Sequence, residues 1–294
     1  MKIKADRVSL QFGKQTALKD ISFELNGKKI YGMLGRNGAG KTSLLSIIGS
    51  FREPTSGTLT INGKVPFENA EIMQNVMFMY QKDYSEESES AKNLMKDVQR
   101  YRPNFDEEYA THLFKRFNLD IDKPIKKFSK GMQSAFNVTL GLASRTPITI
   151  FDEVYLGMDA PSREIFYEEL LTDQERHPRM IILSTHLVSE MEYLFDEVVL
   201  IDKGKLLVQD DYDSLISRGT SITGQKEAVD AFARTKKIIN EQQLGNTKSV
   251  MLYGELSEAE QEAALEQGLE IGPITLHDLF IHLTKGEQLD ENLS

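Results

Sequence analysis

The chain has 294 residues, 40% hydrophobic and 27% charged, which leaves room for one large globular domain and a small appendage. Its formal net charge of −10 argues against nucleic acid or an anionic lipid surface as a direct partner, and the absence of cysteine excludes disulfides and thiolate metal sites. No apolar stretch approaches the roughly 18 residues of a membrane span, and residues 1–6 lack the apolar core of a signal peptide, so any membrane role is expected to be peripheral.

In chain order, Val8, Leu10 and Phe12 alternate with polar residues and predict a half-buried strand. A second strand is expected over 17–25, ended by the turn dipeptide Asn26-Gly27. The apolar run 30–34 leads through glycine-rich sequence into a helix from Lys41 to about Ser50, the order a parallel α/β sheet produces. A further strand is expected over 76–80, and the acidic stretch 84–89 reads as a solvated linker. Helices at about 91–101, 106–118 and 131–144, broken by Pro103 and Pro124, make a helical insertion spanning about 82–145.

The runs 148–151 and 181–184 are continuous and apolar, like strands buried on both faces, with a helix from Pro161 to about Glu175 between them. A hairpin is expected over 198–208 around Asp202-Lys203-Gly204. The pattern breaks at Gly219. A strand at 249–253 and helices at 258–266 and 276–283 then predict a small α+β domain over 218–294, whose acidic end at 287–294 is expected to fray. Leu276, Leu279, Phe280 and Leu283 recur at helical spacing and are expected to pack that domain, with an exposed dimerising stripe as the alternative. His112, His177, His277 and His282 are expected on the surface.

Two features carry chemistry. Gly35-Arg36-Asn37-Gly38-Ala39-Gly40-Lys41-Thr42 fits the phosphate loop G-x-x-x-x-G-K-[ST]. Its glycines let successive N–H groups point inward as an anion nest backed by a helix N-terminus. Lys41 is expected to reach the β- and γ-phosphates of a nucleotide, and Thr42 to ligate Mg²⁺, with Ser43 continuing the binding segment. The strand at 148–151 ends in Asp152-Glu153, where ligands gather in open α/β sheets. One carboxylate can position Mg²⁺ while its neighbour deprotonates the attacking water.

Between these features, Phe128-Ser129-Lys130-Gly131-Met132 resembles the Leu-Ser-Gly-Gly-Gln signature of ABC ATPases, matching at Ser129 and Gly131 and departing at Lys130 and Met132. Gln81 matches that family's glutamine loop, Leu156-Gly157-Met158-Asp159 the loop that crosses the dimer interface, and His186 the switch histidine. Phe12 resembles the aromatic that stacks on adenine, although its place in the Val8, Leu10 alternation makes core packing a competitor. Asp159 also precedes Ala160-Pro161 as a good helix N-cap, and Val154 replaces the usual proline after the glutamate.

The resemblance covers residues 1–217. It implies a P-loop NTPase core of α/β class, with a mixed sheet, an antiparallel β subdomain and the helical insertion. It also implies ATP and Mg²⁺ as ligands. Glu153, His186 and Gln81 would be catalytic, and Thr42, Gln81 and Asp152 would hold the metal. ATP would be sandwiched between two chains, homodimer or heterodimer, with Ser129 and Gly131 supplied by the opposite chain. Membrane-spanning subunits are the implied partners and the cytoplasmic face of the membrane the implied location, most like bacterial exporters linked to antibiotic resistance or cell-envelope stress. Two alternatives remain. A soluble ABC ATPase acting on DNA or ribosomes is disfavoured by the negative charge, the single phosphate loop and the lack of a long coiled coil. A hydrolysis-impaired regulatory subunit has only Lys130 in its favour.

Overall fold

The computed structural model describes residues 1–254 and 256–290, with side chains to residue 284. Two compact units emerge: Met1–His186 with Leu194–Gln209, and Leu187–Tyr193 with the chain from Asp210 onward.

In chain order the elements are β1 (Lys2–Phe12), β2 (Gln15–Asn26), β3 (Ile30–Leu34), α1 (Lys41–Ile48), β4 (Ser56–Ile61), α2 (Ala70–Met73) and β5 (Val76–Tyr80). Helices α3 (Ala91–Tyr101), α4 (Glu107–Arg116) and α5 (Lys130–Ala143) follow, then β6 (Ile148–Asp152), α6 (Ala160–Arg176), β7 (Met180–Thr185), α7 (Val188–Met191), β8 (Glu197–Asp202) and β9 (Lys205–Asp211).

The first unit holds two sheets. One has the order β2-β1-β4 and is antiparallel. The other runs β5-β6-β7-β3-β8-β9, with parallel pairing from β5 to β8. Ile3, Leu18, Ile21 and Leu25 from the first sheet, Ile150, Ile182 and Val199 from the second, and Leu44, Leu45 and Ile48 of α1 share one core. Each such side chain, fully buried, contributes about 1.5–3 kcal/mol. Strands β3, β6 and β7 are buried at every residue, which is why they read as unbroken apolar runs.

The first strand starts earlier than its alternation suggests. A bulge between Ala5 and Val8, with Arg7 at φ 47°, shifts the inward phase from Ile3 and Ala5 to Val8 and Leu10. Strand β4 pairs with β1 across this bulge, and Gly57 sits so close to Arg7 that a Cβ there would collide with its carbonyl oxygen.

The stretch 84–89 is not a fully solvated linker. Tyr84 is buried, packs edge-on against Phe136, and donates its hydroxyl to Asn137 Oδ1 at 2.6 Å. An acidic neighbourhood masked one apolar anchor. Tyr84→Phe leaves the buried Asn137 oxygen without this donor and is expected to cost about 1–3 kcal/mol, read as a lower urea midpoint. An unchanged midpoint would mean that another donor replaces the hydroxyl.

The second unit adds α8 (Tyr212–Ile216), β10 (Gly219–Gln225), α9 (Lys226–Ala233), β11 (Ile238–Leu244), β12 (Thr247–Tyr253), α10 (Glu258–Glu266), β13 (Glu270–Pro273) and α11 (Leu276–Asp290). Its antiparallel sheet has the order β11-β12-β10-β13. Ile222, Val250 and Leu252 of the sheet enclose a core with Val229 of α9 and Ala264 of α10. Leu276, Leu279 and Phe280 are buried and Leu283 half-buried, with α11 packed on α7, α8 and β11, so the stripe is internal packing.

His277 and His282 are half-buried rather than on the surface, because they flank that stripe. Burial, assisted by Lys237, lowers the pKa of His282. The acidic stretch 287–294 falls where side chains (287–290) or whole residues (291–294) lie outside the described residues.

Candidate functional site

Strand register assembles the site. Tyr80 pairs with Asp152, Asp152 with Ser184, and Leu34 with Thr185, so β5, β6, β7 and β3 finish along one edge. The next residues are Gln81, Glu153, His186 and Gly35, which therefore meet although they are scattered along the chain.

Glu153 is the hub. Its Oε1 lies 3.3 Å from Lys41 Nζ and 3.1 Å from His186 Nδ1, while Gln81 Nε2 donates to its backbone oxygen at 3.2 Å. Its φ of 52° places a long side chain in the left-handed region, a strain of order 1–3 kcal/mol that persists only where the surroundings enforce it. Lys41 is only 5% exposed and donates to the carbonyls of Gly35 at 2.7 Å and Arg36 at 3.2 Å, which bends it back across its own loop.

That loop needs its glycines. Gly38 has φ 81° and Gly40 φ 110°, and a Cβ on Gly40 would sit 2.9 Å from Ala17 O. Gly40 is the N-cap of α1 and offers no side-chain acceptor, so the first-turn N–H groups face the loop unshielded by a cap.

Asp152 is buried, and burial raises its pKa; the Ser184 and Thr42 hydroxyls and Lys41 pull the other way, while Glu153 adds to the rise. Its Oδ1 is buried without a hydrogen-bond partner. Such an orphaned acceptor beside the Thr42 hydroxyl suits a hard cation. Among the described residues no trio of His, Asp or Glu side chains converges on a metal position. Mg²⁺ would therefore be held by Asp152, Thr42 and nucleotide phosphates rather than by a protein cage.

A pocket of about 490 Å³ is lined by Asn37, Gly38, Ala39, Gly40, Lys41, Thr42, Ser43 and Glu153, with Phe12 also on its wall. Phe12 is 41% exposed, so the strand alternation ends before it and core packing is not its role. Gln15, Thr16, Ala17, Lys203 and Gly204 complete the wall; Lys203 and Gly204 read in the sequence only as a hairpin turn, and none of the five belongs to a nucleotide-site motif. Gly204 N donates to Ala39 O at 2.9 Å, which ties the β8–β9 turn to the phosphate loop. The Arg52 guanidinium lies 4.7 Å from the centroid of the Phe12 ring, a pairing that sequence spacing could not reveal.

Ser129, Gly131 and Asp159 do not line this pocket. Ser129 caps α5, accepting from Met132 N at 3.2 Å, and Asp159 caps α6, accepting from Ser162 N at 3.0 Å. A Cβ on Gly131 would meet Gly157 O at 2.8 Å, so the start of α5 and the loop before α6 lie in close backbone contact. Gln81, Lys130, Gln133 and Gly157 line a cleft of about 350 Å³ there.

The family model described as ABC transporter matches residues 18–155. The ABC transporter ATP-binding protein NatA of Bacillus subtilis is 31% identical over 206 residues, covering 68% of this chain and 83% of NatA. The lantibiotic transport ATP-binding protein SrtF of Streptococcus pyogenes is 26% identical over 213 residues, covering 72% of this chain and 91% of SrtF. A solved dimeric bacterial ABC transporter cassette shares the fold, with a TM-score of 0.62 at 19% identity over 71% of this chain and 98% of that one.

Proposed function

This chain belongs to the ATP-binding proteins of ABC transporters and is an ATPase, and from that premise we propose that it powers export through membrane-spanning partners, as one of two ATPase chains that close on ATP. The observation that carries the proposal is the division of the site. Lys41, Asp152, Glu153 and His186 gather at one strand edge, whereas Ser129 and Gly131 lie off the pocket, poised on an outward helix start. A second chain related by a two-fold axis would bring its own Ser129 and Gly131 over the phosphates of the first. A cassette of similar fold has been solved as a dimer, which is in keeping with a two-chain form.

Within one half-site, the loop amides and Lys41 hold the phosphates, and Asp152 with Thr42 would hold Mg²⁺, which would supply neutralisation of phosphate charge. Glu153 accepts the proton of the attacking water, His186 holds Glu153 and the γ-phosphate in line, and Gln81 fixes the Glu153 backbone. Loss of the γ-phosphate removes contacts shared by both chains, and the dimer opens.

Among the described residues no helix is long and apolar enough to cross a membrane, and the proposal assigns that crossing to partners at the cytoplasmic face. Next to Gln81, the rings of Phe51, Phe78 and Tyr80 stand 5.4–5.7 Å apart, with Phe51 56% exposed. An exposed aromatic cluster of this kind suits an apolar anchor from a membrane subunit. The lantibiotic transport role in SrtF's name supports a transport role for this chain.

Affinity capture of the tagged chain from solubilised membranes tests this reading. Recovery with a multi-span membrane protein, and ATPase activity that rises in the complex, is the expected result. Sedimentation with ribosomes or nucleic acid would favour the soluble alternative instead. Phe12→Ala is expected to raise KM for ATP about two- to tenfold with kcat unchanged, and Arg52→Ala less, as fits an adenine stacked on the free ring face. A kcat effect without a KM effect would remove Phe12 from the base site.

A further inference from the structure

A second cavity, of about 600 Å³, opens in the first unit at the opposite ends of the same strands, where residues 27–28 lead into β3, Pro147 into β6 and Pro178 into β7. Lys28, Arg145, Arg176, His177 and Arg179 line it, and no acidic residue does. On a chain of net charge −10, this is a local reversal of sign.

The floor is built rather than incidental. Arg179 is 5% exposed; it donates to the carbonyls of His177 at 3.2 Å and Leu142 at 3.3 Å and pairs with the buried Asp173 at 2.7 Å. Arg145 reaches the same Asp173 at 3.4 Å and Asp106 at 3.1 Å, and its Nε is buried without a hydrogen-bond partner. Gln174 stitches the rim together. Its Nε2 donates to Lys28 O at 3.0 Å and Arg179 O at 2.8 Å, and its Oε1 accepts from Arg179 N at 3.1 Å. Lys28 and Arg176 carry no ion pair among the described residues. Of the four permanent cations, Arg145 and Arg179 are thus paired with Asp106 and Asp173, which leaves two cations (4 − 2 = 2), Lys28 and Arg176, unpaired at the rim; Arg145 and Arg176 also border an adjoining cavity lined by Glu168, Glu169 and Asp173.

We propose that this pocket binds a small phosphate monoester, at a site separate from the ATP pocket. A monoester phosphate carries about −1.5 to −2 charge near neutral pH, which matches the two unpaired cations. Guanidinium groups bind its oxygens in forked pairs, and the volume is that of a small-molecule site. Neither the phosphate loop nor the second chain takes part, so the proposal does not depend on how ATP is hydrolysed.

The test uses the full chain with its phosphate loop saturated by Mg²⁺ and a non-hydrolysable ATP analogue. Ribose 5-phosphate and inorganic phosphate are then titrated calorimetrically. Saturable binding of ribose 5-phosphate is expected, weakened by added salt. Arg176→Glu and Lys28→Glu, both at exposed positions, should each weaken it at least tenfold while basal ATPase activity is unchanged. Absence of saturable binding of ribose 5-phosphate, or binding that survives both charge reversals, overturns the assignment. Saturable binding of inorganic phosphate alone overturns the monoester class.

Discussion

Glu153→Gln stops ATP turnover, by about 10²- to 10⁴-fold, and leaves nucleotide binding in place. The substitution keeps the shape of the side chain at a position where φ is 52° and where Lys41 and His186 both face one carboxylate oxygen. It removes the acceptor for the water proton and, with it, the negative charge opposite Lys41 and His186. With hydrolysis blocked, the proposed two-chain sandwich should accumulate, so sedimentation of the variant with ATP and Mg²⁺ should show a stable dimer that ADP does not support. Residual activity within tenfold of the unaltered chain would move the base to another group. His186 would then be the first to examine, since it shares the same oxygen.

Lys41→Ala acts one step earlier and should weaken ATP binding by about 10²-fold or more, as measured by fluorescent-nucleotide titration. The ammonium is 5% exposed and is already turned inward by the Gly35 and Arg36 carbonyls, so its orientation is set before phosphate arrives. A charge-assisted bond to phosphate in so dry a setting exceeds a neutral one about twofold, and the loss also leaves Glu153 with His186 as its remaining side-chain partner. Lys41→Arg should not restore binding, because the planar fork needs space that the two carbonyls occupy. An affinity that survives Lys41→Ala would mean the loop amides alone hold the nucleotide.

Much of this is legible in the sequence. The runs that became β3, β6 and β7 are buried on both faces, and such strands announce themselves by unbroken apolar sequence. The phosphate loop was legible because its geometry tolerates few alternatives at Gly38, Gly40 and Lys41. Physical reasons also explain what stayed hidden. The first half of β1 reverses its inward phase at the Arg7 bulge, so no single alternation spans it. Strands β10 and β11 read GTSITGQ and IINEQQL, with mostly half-exposed or exposed side chains, and polar strands carry almost no periodic signal. Tyr84 hid among carboxylates, and the Arg52 contact with Phe12 joins residues from separate elements. Pairwise placement of that kind is a property of the fold and not of local spacing.

The segment Leu187–Tyr193 belongs to the second unit although the first unit resumes at Leu194. In vectorial synthesis, Val188 and Met191, both fully buried in the finished protein, leave the ribosome well before α11, against which α7 packs. At 5–20 residues per second the delay is on the order of ten seconds. The buried face of α7, just after His186, therefore waits for its α11 partner until that helix has been synthesised.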